Sequence, residues 1–137
     1  MDESNSRVMR RAFVEIMARG KVEAIDELFA SDFAGHDTSD QVFGREEFRE
    51  GVVAMLTAFS ERQVEIADQV VDGDKVATRW KATGVHSGEF NGIPATGQHV
   101  SMTGISIDRI AGGKIVESWE ITDDAGLLRQ LGAMPLR

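Results

Sequence analysis

A chain with no cysteine and no tyrosine has few side chains left that can do chemistry near neutral pH. What remains are three histidines, at positions 36, 86 and 99, and several carboxylates set among apolar neighbours. Glu120 stands between Trp119 and Ile121, and Asp123 and Asp124 follow closely. A carboxylate turned into an apolar pocket loses hydration, so its pKa rises and it becomes a useful proton acceptor at neutral pH. Glu120 is a candidate general base if its face of the chain looks inward. At a wet rim, or paired with an arginine, it would be structural. His36, in Gly35-His36-Asp37, could hydrogen-bond a substrate oxygen or relay a proton; equally it could bond backbone at a strand end. Asp123 and Asp124 suit the start of a helix, which favours negative charge. His86 and His99 flank a glycine-rich stretch and are expected at the surface.

Other chemistries are excluded by residue type and spacing. Without cysteine there is no disulfide, thiol nucleophile or cysteine–zinc site. The three histidines show none of the short ligand spacings of zinc centres, so no metal is expected. No Gly-x-x-x-x-Gly-Lys-Ser/Thr loop and no Gly-x-Ser-x-Gly elbow occurs. The net charge is −8, from 23 acidic and 15 basic residues, and the longest basic cluster is Arg10-Arg11. A nucleic-acid partner or an anionic membrane surface is therefore not expected. No apolar run follows Met1-Asp2-Glu3, so neither a leader peptide nor a membrane span is expected, and the default location is cytoplasmic. The 137 residues fit one domain, 1–137.

These candidates must be positioned by helices first and strands after. Val8, Met9, Ala12, Phe13, Ile16 and Met17 recur at helical spacing from a start near Ser4 or Ser6, and Gly20 ends the run. A short helix over 21–29, a strand over 33–37 and a helix over 45–59 follow. Beyond Ser60 the pattern alternates, which marks half-buried strands. These cover 63–71, 75–85, 99–110 and 115–122, and a last helix covers 124–131. The order predicts an α+β layer architecture. Parity puts Val76, Thr78, Trp80 and Ala82 on one face of their strand, and Ala77, Arg79 and Lys81 on the other. On the last strand, Val116, Ser118 and Glu120 oppose Ile115, Glu117, Trp119 and Ile121. Both sets are half polar, so alternation alone leaves open which one faces inward.

The C-terminal third carries a resemblance. Gly88-Glu89-Phe90-Asn91-Gly92-Ile93-Pro94-Ala95-Thr96-Gly97 is similar to the loop that SnoaL-like polyketide cyclases carry before a long strand. Gly104 to Ile110 and Gly113-Lys114-Ile115-Val116-Glu117 resemble that family's hairpin. Ser118-Trp119-Glu120-Ile121-Thr122-Asp123 and Gly126-Leu127-Leu128-Arg129-Gln130-Leu131-Gly132 resemble its final strand and helix. The resemblance implies a cone-shaped α+β barrel: a curved, mainly antiparallel sheet wrapped around N-terminal helices, with an apolar pocket. It also implies ring closure by intramolecular aldol condensation, without metal or organic cofactor. The family's proton-abstracting aspartate falls at Glu120, which would turn Val116, Ser118 and Glu120 inward. A histidine carried by some members falls at Ser106.

Taken with the resemblance, the expected catalytic residues are Glu120 and His36. The expected pocket residues are Trp80, Phe13, Met55, Phe59, Phe90, Met102 and Ser106, around a small hydrophobic carbonyl compound. Three other readings compete: a binding protein that does not transform its ligand, an isomerase, and an epoxide hydrolase. The last needs an Asp-Arg-Asp arrangement, and parity places Arg79 outward. With Glu120 inward, Ile105, Ile107, Trp119 and Ile121 would form an apolar cluster on the outer sheet face, suited to a homodimer. The alternative is that residues 133–137 fold back over it.

Overall fold

The computed structural model describes residues 3–133. Helix α1 (Glu3–Arg11) runs on as a π-helical segment, Ala12–Ala18. The expected helical stripe is present, but the looser winding of its second half was not legible. That half carries Phe13, Ile16 and Met17. Its last carbonyls are met from outside the helix. Arg62 donates to the carbonyls of Met17 (3.1 Å) and Ala18 (3.5 Å), satisfying acceptors that a helix end leaves free. Gly20 follows at φ 74°, a conformation that suits glycine. Helix α2 (Ala24–Leu28) is shorter than expected, because β1 (Phe29–His36) begins four residues early.

Strand β2 (Val42–Phe43) pairs with the end of β1, and helix α3 (Arg45–Ala58) follows. Then come β3 (Phe59–Asp72), β4 (Lys75–His86), β5 (His99–Ala111), β6 (Lys114–Thr122) and helix α4 (Asp124–Gln130). The sheet order is β2-β1-β6-β5-β4-β3. Every neighbouring pair is antiparallel except β1 with β6, which run parallel. The sheet is mixed and does not close: β2 and β3 are its two edges.

Helices cover one face. Trp80 and Val76 of β4 pack there with Phe13 and Ile16, with Ile25 and Leu28 of α2, and with Phe29 and Phe33 of β1. A smaller cluster at the other end joins Ala58, Phe59 and Val100 to Leu127 and Leu131. The β4 parity holds: Val76, Thr78 and Trp80 are buried while Arg79 and Lys81 are exposed. On β6 it holds only in part. A register shift between Arg109–Glu117 and Ile110–Ile115 turns Ile115 into the core, where it is fully buried. Alternation had put Ile115 with Trp119, and one extra residue on a strand reverses that assignment. Asp123 accepts a bond from the Gly126 N–H at 2.9 Å, so it is the expected cap of α4.

Candidate active site

Three rows of side chains cross the inner face of β4, β5 and β6. They are Trp80–Gly104–Thr122, Thr78–Ser106–Glu120 and Val76–Asp108–Ser118. Two carboxyls, Asp108 and Glu120, thus occupy diagonal corners of one square, with Ser106 and Ser118 at the other two. All four line a small cavity whose opposite wall is apolar, built from Met9, Phe13, Ile16 and Met17 of the first helix with Phe29 and Phe48. Its water-accessible space is about 60 Å³.

The two acids differ in environment. Asp108 is only 3% exposed and accepts a bond from the Ser106 hydroxyl at 2.7 Å. Burial pushes its carboxyl up to about 6, against the opposing help of the Ser118 and Ser106 hydroxyls. Glu120 borders the cavity with many protein atoms around its carboxyl, yet more than a third of its surface is open to solvent, so water screens part of what burial would do to it. Loss of bulk hydration pushes it up to about 7. The Asp108 charge adds to that rise, with a smaller addition from Asp124. Against both works the Trp80 indole N–H, which is buried without a well-formed hydrogen bond and close enough to favour the Glu120 anion. Trp80 reaches across because position 104 is glycine. A Cβ there would come within 2.5 Å of the indole ring.

A second chamber of about 100 Å³ lies alongside. Met55, Phe59, Trp80 and Met102 line it as expected, with Val100 and Leu127, and Met17 lines both spaces. This larger chamber is almost wholly apolar and contains neither carboxyl. Ligand sites for drug-sized molecules typically measure roughly 300–1,000 Å³. A polycyclic occupant therefore requires side chains between the chambers to move, and Met17 is the most adaptable of them.

Of the expected site residues, Glu120, Ser106 and Phe13 meet in the carboxyl chamber, and Trp80, Met55, Phe59 and Met102 in the second. Phe90 lines neither. It packs on Phe59 with ring centroids 5.2 Å apart. His36 lies on the outer face, where parallel pairing sets it beside Trp119. It stacks on that indole at 5.1 Å, and its Nε2 lies 2.8 Å from a Glu117 carboxyl oxygen. The sheet separates it from Glu120, so it is not part of the cavity. His86, expected at the surface, is fully buried. The strand runs one residue further than alternation suggested and keeps His86 on the inner parity, where Nδ1 accepts from the Thr96 N–H at 3.2 Å. His99 is exposed as expected. Sequence reasoning missed Asp108. The signal was there: it shares the face of Ser106 and Ile110, flanked by the outward Ile107 and Arg109.

An open α+β sheet with a small acidic cavity beneath a helical layer defines a class of small cavity proteins. The chain belongs to the SnoaL-like polyketide cyclase family, whose pattern it matches over residues 7–131. It is 30% identical over 126 residues to the aklanonic acid methyl ester cyclase DnrD of Streptomyces peucetius, covering 89% of this chain and 87% of that protein. Among solved structures it resembles wild-type IdmH, a candidate polyketide cyclase from Streptomyces antibioticus, at 32% identity and a TM-score of 0.82, covering 93% and 98% of the two chains. AclR, a candidate hydroxylase from Streptomyces galilaeus, superimposes with a TM-score of 0.89 at 27% identity, covering 97% of this chain and 83% of that one. No helix among the described residues is long and apolar enough to cross a membrane.

Proposed function

We propose that this chain is a cofactor-independent cyclase that closes a ring by intramolecular aldol condensation of a small hydrophobic carbonyl compound. Glu120 is its base. It takes a proton from a carbon flanked by carbonyls, and the resulting enolate carbon attacks a second carbonyl of the same molecule. One carbon–carbon bond forms, and the proton held by Glu120 goes back to the new alkoxide, so atoms and charge balance. The observation that carries the reading is the Glu120 carboxyl at a cavity whose opposite wall is apolar and which holds a second acid. These surroundings push it up to about 7, and a base works best near the operating pH. The relatives named as aklanonic acid methyl ester cyclases support an ester as the substrate type. The Trp80 indole N–H, which lacks a well-formed partner, is the donor available to an enolate oxygen.

The proposal extends to assembly. Ile105, Ile107, Trp119 and Ile121 stand on the outer face, from 36% exposed at Trp119 to 66% at Ile121. Arg79, Lys81, Glu65 and Asp123 border the same concavity. Both signs of charge around an apolar centre suit a second copy related by a two-fold axis. The alternative cover, residues 133–137, lies almost wholly outside the described residues. The cysteine-free composition is compatible with a reducing, cytoplasmic setting.

The test of the chemistry is Glu120→Gln with an enolisable keto ester. Turnover should fall roughly 10²–10⁴-fold while ligand binding, read by Trp80 fluorescence in a Trp119→Phe background, persists. Unchanged turnover would remove Glu120 from the mechanism. Binding with no turnover in the native chain would favour a ligand-binding protein.

A further inference from the structure

We propose that Asp108 and Glu120 act as one coupled carboxyl pair, in which Asp108 is a positioning residue that sets when Glu120 holds its proton. The inference deepens the reading of Glu120 as base and rests on it. Its foundation is placement. Ser106 opposes Glu120 and Asp108 opposes Ser118 across β5 and β6, so the two acids are diagonal neighbours on one face. Such diagonals span about 7–8 Å. Both acids line the same cavity. Asp108 is buried while Glu120 is partly open to solvent, so their repulsion is stronger than between two surface charges though water screens part of it.

The surroundings decide which acid ionises first. Asp108 receives the Ser106 hydroxyl at 2.7 Å and is favoured as an anion by Ser118 as well. From β4, Glu120 faces the Trp80 N–H and the neutral Thr78, and from β5 it faces Asp108 and Ser106. Asp124 of α4 adds a further negative charge. The first helix, Phe29 and Phe48 offer it only apolar groups. No lysine, arginine or histidine lines this cavity among the described residues. Asp108 is therefore the first anion, and its charge keeps the proton on Glu120 until the pH approaches neutrality. Glu120 becomes a stronger base than an isolated glutamate, yet one that is free of its proton for an appreciable fraction of time at pH 7.

The experiment is a carboxyl-carbon NMR titration of the full chain labelled at Asp and Glu side chains, assigned with Asp108→Asn and Glu120→Gln. In the native chain the Asp108 carbon should show a second inflection at the midpoint of Glu120, the mark of coupled sites. In Asp108→Asn, Glu120 should titrate lower by on the order of one pH unit, as expected for charges about 7 Å apart. The acidic limb of kcat/KM should move down with it. In Glu120→Gln, Asp108 should stay near its native midpoint, because Glu120 is already protonated when Asp108 ionises. Ser106→Ala, a milder change, should raise the Asp108 midpoint. A native Asp108 curve with one inflection, or a Glu120 midpoint unmoved in Asp108→Asn, would overturn the pair. The two readings separate cleanly. Coupling without turnover keeps the pair and sinks the cyclase, while turnover that needs Glu120 without coupling does the reverse.

Discussion

Asp108→Asn should make the protein more stable at pH 8 and slightly less stable near pH 4. The Asp108 carboxyl is raised from 3.8 to about 6 in the fold. A raised acid binds its proton more tightly when folded, so its contribution is fully present below pH 3.8 and is lost as pH rises through 6. About two pH units correspond to about 3 kcal/mol. The residue is 3% exposed, so screening by water removes little of that figure. Asparagine carries no charge to bury, but its amide meets the Ser106 and Ser118 hydroxyls less well, at a cost of about 1 kcal/mol. The net gain at pH 8 is about 2 kcal/mol, or roughly 6–10 °C in Tm for a domain of this size. Near pH 4, where the folded carboxyl is protonated and the unfolded one is roughly half so, little of the charge-burial cost remains and the variant should be less stable by up to about 1 kcal/mol. Thermal melts at pH 4, 6 and 8, at one fixed protein concentration, read the sign change. A difference in Tm that does not vary with pH would refute the argument that Asp108 is a buried, costly anion. Glu120 shifts with the same sign, from 4.5 to about 7, though its exposure to solvent reduces its share.

Further outcomes follow from the same geometry. Gly104→Ala places a Cβ within 2.5 Å of the Trp80 ring; it should destabilise by about 1–3 kcal/mol and change Trp80 emission in a Trp119→Phe background. Trp119→Glu puts a charge at the centre of the outer apolar cluster; light scattering should fall from near twice 15.0 kDa toward the single-chain mass. A native monomer would defeat the assembly proposal and leave the cavity untouched. Cyclase activity should survive a strong chelator, and loss that is restored by one added metal would point to a site formed outside the residues named above.

The order of elements was legible because each element's apolar period was long and regular. Strands of nine to fourteen residues with clean alternation leave little room for error. What alternation could not show were the places where it breaks. One bulge sent Ile115 inward, and beyond a register shift between Phe29 and Ala34 the parallel pairing of β1 with β6 set His36 beside Trp119 on the outer face. The π-helical turn under Met17 left no period of its own to read. Glu120 needed the family resemblance to choose its face. Asp108 needed only the parity already applied to Ser106, but a lone aspartate in a strand reads as solvent-facing until its neighbours are known to point out.

The carboxyl pair also bears on what the cavity can accept. At the position where the family resemblance implies a histidine, this chain has Ser106, and two residues along the same face it has a second acid. A histidine can donate to, or charge-balance, an enolate; an acid beside the base can do neither while ionised. Arg62, the cation that borders the second chamber, is committed to main-chain carbonyls of Met17, Ala18 and Phe59. The donor left for a developing oxyanion is the neutral indole of Trp80. With Glu120 as the proposed base, such a site would rely on the strength of that base rather than on stabilising the enolate. A carbon between two carbonyls spreads the negative charge over its own oxygens and makes up for that lack, whereas a simple ketone does not. The same residues that make Glu120 basic thus argue for a keto ester or diketone as the substrate.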